Sequence, residues 1–474
     1  MSLDYRLQSL KETPMKINRR NALKKTSQTL GFTFIPSYLA TGARAEGDPQ
    51  PPSNRINLGC VGVGGRAGGV IPGLCGKGNA QPVAFADVDY SARNVEKNLK
   101  RWPGVKQYAD FREMMDKSGK DIDAVSVVVP DHSHFCSTIL AMSMGKHVYV
   151  EKPLTHSFQE AELLMRAEKK FGVVTQMGNQ GHTGSASNQF REWVKRGIIR
   201  NVTQVDAWKG PSCFFMQKDK RIHDWPKEEA KPKGMDWDLW IGPAESHPFS
   251  RMYHTSQWRG FHPYGSGMLG DWGCHIIDMV HDYLNLGLPT EIKAQRMDDH
   301  NRLIFPLNSQ MQFKFPARGK HPALTLNWKD GADCRAPVAK EYWDNPEKAP
   351  RLGGAGTLFK VGGEDYMVQR DSHGSSSRLL PYAKSKELDV KTENIRENHF
   401  ESFVQACLGN GKTWSPFSVG GVLTQVLTLG CIAQYFNRDL EFDPKTKQIT
   451  NDKMANSRLS IVPRKGWEEF YRMV

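Results

Sequence analysis

Several landmarks are missing from this 474-residue chain, and each absence narrows what it does. Its eight cysteines contain no Cys-x-x-Cys pair, so they read as small apolar residues; Cys60, Cys136 and Cys431 fall inside apolar strand or helix patterns. No disulfide pairing is assigned. There is no His-Glu-x-x-His sequence, and His275 and His281 stand six apart, poorly placed on a single helix, so no metal is expected. No run of about 18 apolar residues is present, so no membrane span is predicted. Lys and Arg are scattered without a dense cluster, which argues against nucleic acid as a partner. No internal repeat is visible.

The N-terminus does carry a pattern. Arg19-Arg20 lies in a basic run from 18 to 25, a modestly apolar stretch covers 30–39, and Ala43-Arg44-Ala45 offers a small-x-small cleavage point. Residues 1–45 therefore read as a twin-arginine export signal to the periplasm, followed by a proline-containing linker at 46–54. No cysteine precedes Arg55, so a lipid anchor has no attachment point. The signal holds eight basic and two acidic side chains, which leaves residues 46–474 with +7 of the chain's +13.

From Arg55 strands alternate with helices. Strands are expected at 56–61, 83–86, 124–129, 147–150 and 173–177. Helices are expected at 91–101, from Asp110 to 117, at 133–144 and from Ser157 to 172. Asp110/Glu113 and Ser157/Glu160 are spaced as capping boxes. Near-continuous apolar strands separated by helices predict an α/β parallel sheet covered on both faces, with a nucleotide-binding domain over 55–177. Residues 178–474 form a second domain. A helix is expected at 186–196 and a strand at 202–208. A long irregular stretch, 210–264, follows, and seven of the twelve tryptophans lie between Trp193 and Trp272. One helix is expected over 267–283. Met311, Phe313 and Phe315 alternate with polar residues, as do Leu324, Leu326 and Trp328, which predicts an antiparallel sheet with one buried face. Helices at 395–408 and 420–436 complete the pattern.

Four groups of residues could carry chemistry. Gly62-Val63-Gly64-Gly65-Arg66-Ala67 follows a strand and opens a helix, the setting in which glycines let a backbone approach a pyrophosphate. Asp87 ends the next strand, 25 residues after Gly62, where an acid would bind a ribose and favour NAD over NADP. Pro130-Asp131-His132-Ser133-His134 follows a later strand at the same sheet edge; His134 either contacts a cofactor or caps the next helix. Glu151-Lys152-Pro153 ends a further strand, and Lys152 could act as a base if burial or a neighbouring cation lowers its pKa. Asp271 and His275, four apart, share a helix face, where a carboxylate can orient an imidazole for proton transfer; Asp278 lies near that face.

In this order the groups resemble the glucose–fructose oxidoreductase, inositol dehydrogenase and MocA-like (Gfo/Idh/MocA) family. Asn179-Gln180 and Trp237-Asp238-Leu239-Trp240-Ile241-Gly242-Pro243 look like its exported bacterial branch. The resemblance implies a Rossmann domain followed by an α/β domain with an open, largely antiparallel sheet that builds a homo-oligomer, dimer or tetramer. It implies Lys152, Asp271 and His275 as catalytic residues and a cis Lys152–Pro153 bond. It places Gly62, Gly64, Gly65, Arg66, Ala67, Asp87, Pro130, His134, Glu151, Lys152 and Gln180 at the cofactor. Lys152, Gln180, Arg259, Tyr264, Asp271, His275 and Asp278 would face the substrate. The activity so implied is hydride transfer between a sugar or glycoside ring carbon and tightly bound NAD. Two alternatives remain: a redox-neutral NAD-dependent glycoside hydrolase, and a non-catalytic nucleotide-binding scaffold. The tryptophan-rich stretch either stacks on sugar rings or is core.

Overall fold

The computed structural model describes residues 54–211, 221–253, 256–388 and 398–474. The expected export signal, residues 1–45, and nearly all of the expected linker lie outside them. Two sheets organise these residues. The first has six parallel strands in the order β3-β2-β1-β4-β5-β6: β1 (Ile56–Val61), β2 (Ala80–Ala86), β3 (Lys106–Tyr108), β4 (Ala124–Val127), β5 (His147–Val150) and β6 (Thr175–Met177). Strand order reverses between β1 and β4, which makes a crevice at their carboxyl ends, the ligand position of open α/β sheets. β3 was not expected from sequence; it is three residues long, lies at the sheet edge and has no apolar pattern to betray it.

The crossovers are helices α1 (Ala67–Cys75), α2 (Val95–Arg101), α3 (Phe111–Ser118), α4 (His134–Ser143) and α5 (Phe158–Phe171). Ser157 and Glu160 make the reciprocal capping box that starts α5. The box expected at Asp110 is only half made: Asp110 accepts from the Arg112 amide, while Glu113 pairs with Lys117 one turn on. α2 begins four residues later than expected. Asp89 accepts from the Ser91 amide, and Asn94 adopts φ +75, so the preceding segment is a turn.

Beyond helix α6 (Ser185–Lys195) comes a nine-stranded mixed sheet, in which only β7 (Gln204–Lys209) and β10 (Leu324–Asp330) pair in parallel. β8 (Glu291–Asp298) and β9 (Asn308–Phe315) continue it on one side of β10; β11 (Ala355–Lys360), β12 (Met367–Asp371) and β13 (Ser377–Leu380) extend it beyond β7. Met311, Phe313, Phe315, Leu324, Leu326 and Trp328 all point to the buried face, as their alternation requires. The opposite face is polar: Gln312 donates to Asn327, and Asn327 to Asp206.

After the short α7 (Trp237–Ile241), the helix expected over 267–283 is broken at Ile277 into α8 (Gly267–Ile276) and α9 (Asp278–Tyr283). After the short α10 (Ala383–Glu387), α11 (His399–Cys407) does not stay with the second sheet; Phe403 and Val404 belong to the buried cluster that covers the first, and Phe400 packs on Gly73 of α1. A final long helix, α12 (Phe417–Phe436), is long and apolar enough to cross a membrane by composition, yet most of it is buried between α5, α8 and the second sheet. Glycines allow its close approach: a Cβ on Gly430 would lie 2.4 Å from Leu269 and 2.8 Å from Phe313.

Candidate active site

The crevice is built first by the turn after β1. Gly62 has φ +82, and a Cβ there would lie 2.2 Å from the Val128 carbonyl oxygen, so only glycine fits. Gly65 has φ +50 and faces open space. α1 then starts with no side-chain cap and no acidic residue in its first turn, leaving its positive end available to an anion. Ala67 is fully buried under the turn. Asp87, at the end of β2, holds the loop: one carboxylate oxygen accepts from the Val63 amide at 2.7 Å and the Gly64 amide at 3.2 Å, and the other from Asp89. Burial raises its pKa despite these three donors.

Glu151, Arg66 and Gln180 form the next layer. Gln180 donates to the Tyr149 hydroxyl and to Glu151, both at 2.7 Å, and Arg66 approaches Glu151 at 3.4 Å. Pro130 introduces the short turn Asp131–Ser133. His134 is buried with its ring nitrogens 2.8 Å from the Pro153 carbonyl and 2.9 Å from that of Val129, and burial pushes its pKa down to about 4. Its nitrogens are engaged with backbone, so it holds the segment after Lys152 and is not a cofactor contact. The Lys152–Pro153 bond is cis.

Lys152 forms a short ion pair with the Asp271 carboxylate and also donates to the Asp271 carbonyl at 3.1 Å. Arg259 approaches the same carboxylate at 3.6 Å. Burial alone would lower the lysine pKa, as a base requires. The charge and hydrogen bond of Asp271 outweigh it and hold Lys152 above its ordinary value. Burial likewise acts against the Asp271 carboxylate, and Lys152 and Arg259 hold it ionised. In this state Lys152 is a charged donor, not the base that sequence allowed. His275, one helical turn beyond Asp271, is the reverse: burial, then the nearby Lys152 and His373, hold its pKa well below the ordinary range. A neutral imidazole beside a fixed ammonium can accept a proton while the lysine polarises the same oxygen.

Two expected substrate residues lie elsewhere. Tyr264 is fully buried among Trp240, Tyr253 and Phe261, with its hydroxyl 3.4 Å from the Glu245 carbonyl. It belongs to the aromatic core that Trp237 and Trp258 share, which answers the question of that tryptophan-rich stretch in favour of packing. Asp278 is turned to His182, with both carboxylate oxygens 3.0 Å from its Nδ1. Burial opposes a charge on His182, but Asp278 and then Asp282 raise its pKa, so the pair is a buried internal ion pair.

Two other residues complete the site without any sequence signal. His373 stacks on His275 at 3.8 Å with 22° between rings, in a left-handed backbone conformation of φ +59. Its backbone lies against Gly181, where a Cβ would come within 2.5 Å. Arg370, fully buried on β12, donates to Ser187 at 3.0 Å, while its other guanidinium nitrogens have no partner among the described residues. Burial lowers it to about 10. Both lie some two hundred residues from Lys152, Arg370 on β12 and His373 in the turn that follows it.

Two family models match these segments: an oxidoreductase family NAD-binding Rossmann fold over residues 56–179, and the C-terminal alpha/beta domain of the same family over 222–307. The chain belongs to the Gfo/Idh/MocA oxidoreductase family. It is similar to glucose-6-phosphate 3-dehydrogenase of Bacillus subtilis, 24% identical over 51% of this chain and 57% of that protein. It is also similar to a glycosyl hydrolase family 109 protein of Shewanella pealeana, 26% identical over 41% and 46%. The chain spans a third to just over half the length of the curated relatives it matches. The WlbA dehydrogenase of Bordetella pertussis, solved with NADH and UDP-GlcNAcA, shares the fold: TM-score 0.56 at 12% identity, over 82% of this chain and 98% of that one. As a Gfo/Idh/MocA protein this chain carries an NAD-binding Rossmann domain. The residues present fit such a dinucleotide. The turn is open at Gly65, beside the uncapped start of α1, and the buried Asn179 side chain has neither end partnered among the described residues.

Proposed function

We propose that this protein oxidises a ring hydroxyl of a sugar or glycoside, using NAD held in the first domain. The observation that carries the reading is the meeting of Lys152, Asp271 and neutral His275 beside the glycine turn. NAD, when bound, takes up the hydride from the carbon and can return it. The chain supplies the rest. Lys152, kept charged by Asp271, donates to the oxygen of the reacting hydroxyl. His275 accepts the hydroxyl proton as the carbonyl forms. Arg259 keeps Asp271 ionised and so keeps Lys152 in place. Gln180, Glu151 and Arg66 line the passage between turn and lysine. The similarity to sugar dehydrogenases supports a carbohydrate substrate. Asp87, whose charge would repel a 2′-phosphate, supports NAD over NADP.

Mass spectrometry of the purified protein for bound nucleotide tests the first half. Loss of reduced-cofactor absorbance, or its appearance, on adding candidate glycosides tests the second. The similarity to a family 109 glycosyl hydrolase favours one other reading. There the transient ketone acidifies the neighbouring C–H, elimination expels the aglycone and leaves a C=C bond, water adds across that bond, and hydride returns to the ketone with no net oxidation. Cleavage of an aryl glycoside without added acceptor supports that reading; a stable keto-sugar supports the first. A scaffold role predicts neither product and no effect of Lys152→Ala. Export to the periplasm and assembly as a dimer or tetramer belong to the same proposal, the second decided by light scattering.

A further inference from the structure

A second cavity, of about 570 Å³, lies on the far side of Ser266 from the catalytic residues; neither Lys152, Asp271 nor His275 lines it. Ser266, on its wall, donates its hydroxyl to Asp131. Three features make it more than a gap between elements.

The first is a pair of guanidinium groups. Arg458 lies 3.8 Å and Arg302 5.6 Å from the centroid of the same Tyr435 ring. Neither guanidinium has an ion pair or hydrogen bond among the described residues. Burial lowers the pKa of Arg458; Tyr435 opposes the shift, the charge of Arg302 adds to it, and Glu245 opposes it more weakly. The second is the sign of the lining. Glu245 is the one carboxylate on the cavity wall; its side chain is 76% exposed and it sits 3.9 Å from His247, and its charge acts on Arg458 more weakly than that of Arg302. The third is His262. It is 95% buried, its ring lies 4.0 Å from that of Phe305 and 5.0 Å from that of Tyr435, and its Nε2 has no partner among the described residues. Burial, then Arg458, keeps this ring neutral, and a hydrogen bond to the Asn301 backbone occupies its other nitrogen. With Nδ1–H directed to a carbonyl, Nε2 is a bare lone pair that asks for a donor.

Two unneutralised guanidinium groups want an anion, and a carboxylate suits their planar donors. A lone-pair acceptor wants a hydroxyl. We propose that this cavity binds a hydroxylated carboxylate of the sugar-acid class, with the carboxylate on Arg302 and Arg458 and a hydroxyl donating to His262. It is a binding site distinct from the catalytic one and does not depend on the oxidoreductase reading.

D-Glucuronate is the probe, titrated calorimetrically into the full chain, with D-glucose and inorganic phosphate as comparisons. Glucuronate is expected to bind and glucose not, because glucose lacks the anion. Arg458→Gln and Arg302→Gln should each weaken glucuronate by about tenfold or more, the scale of a lost charge-assisted hydrogen bond. Both side chains are at the surface, so the variants should melt with the wild type. Lys152→Ala should bind glucuronate unchanged. The proposal is overturned if glucuronate does not bind, if Lys152→Ala abolishes binding, or if both arginine variants bind normally. Phosphate binding as tight as glucuronate would remove the hydroxyl half. His262→Phe should weaken glucuronate but leave phosphate alone; equal weakening of both also refutes that half.

Discussion

Removing the Asp271 charge alone should cost more than removing both charges of its pair. Lys152 and Asp271 are only 13% and 12% exposed at their side chains. Deleting one partner of a buried pair strands the other, at about 3–5 kcal/mol, while replacing both is often near neutral. Three details point Asp271→Asn to the lower end, about 3 kcal/mol. Lys152 keeps its bond to the residue-271 carbonyl. The substituted amide still offers an oxygen. Asp131, 97% buried and raised to about 7 mainly by that burial and partly by Asp271, becomes easier to ionise when Asp271 is gone. Lys152→Met should cost less, because Arg259 remains to pair Asp271. The double variant should then recover to within about 1 kcal/mol of wild type, a coupling of at least about 2 kcal/mol. Urea unfolding followed by tryptophan fluorescence at neutral pH measures all four proteins. The sign with pH is fixed as well. Asp271 is held below its ordinary 3.8, so its contribution is complete above that value and lost as pH falls through the folded-state value. The gap between wild type and Asp271→Asn should therefore close in acid. A double variant that loses the sum of the two singles would refute the ion-pair account.

Lys152→Ala should lower turnover by about 100-fold or more, the scale of lost acid–base help, with NADH binding by fluorescence unchanged. With His275 held neutral by burial and by Lys152 and His373, the acid limb of the rate profile should lie below the imidazole's ordinary value of about 6.5. His373→Gln should move that limb upward by removing one of the groups that disfavour the charge; an unmoved limb counts against the stacking assignment. Gly62→Ala must accommodate φ +82 and a Cβ 2.2 Å from a carbonyl oxygen, and should lose NADH binding together with stability; normal NADH affinity would contradict the cradle. Replacing Arg19-Arg20 by Lys-Lys should leave the protein in the cytoplasmic fraction, and undiminished periplasmic recovery would remove the twin-arginine reading.

The first sheet was legible because its strands are buried on both faces and its turns carry glycine and acid at fixed offsets. The Lys152–Asp271 contact was legible only as a juxtaposition of motifs; its consequence for the lysine was not. Sequence allowed a lowered pKa, but the carboxylate that reverses the shift lies 119 residues away, and only the packing of α8 on the first domain brings it within reach. Tyr264 and Asp278 show the same limit from the other side. Residue type suits both for sugar contact, yet one is enclosed by aromatic rings and the other is taken by His182. His373 and Arg370 left no signal because neither belongs to a motif. A lone histidine in a Ser/Gly-rich turn is distinguished only by its backbone conformation.

The return of α11 to the first sheet bears on how the chain is made. The cluster around Leu58, Cys60, Val70 and Phe85 is closed by Phe403 and Val404, and Gln176 and Asn79 at the sheet's rim bond to the His399 carbonyl and to Glu401. The first domain, whose last strand ends at Met177, therefore lacks part of its covering until some 227 further residues have emerged. At about 5–20 residues per second that interval is roughly 11–45 s. During it an incomplete hydrophobic face is exposed, so residues 55–177 expressed alone should be prone to aggregate. A translocation route that accepts only finished proteins would then act as a checkpoint on the whole chain, because neither half is finished first.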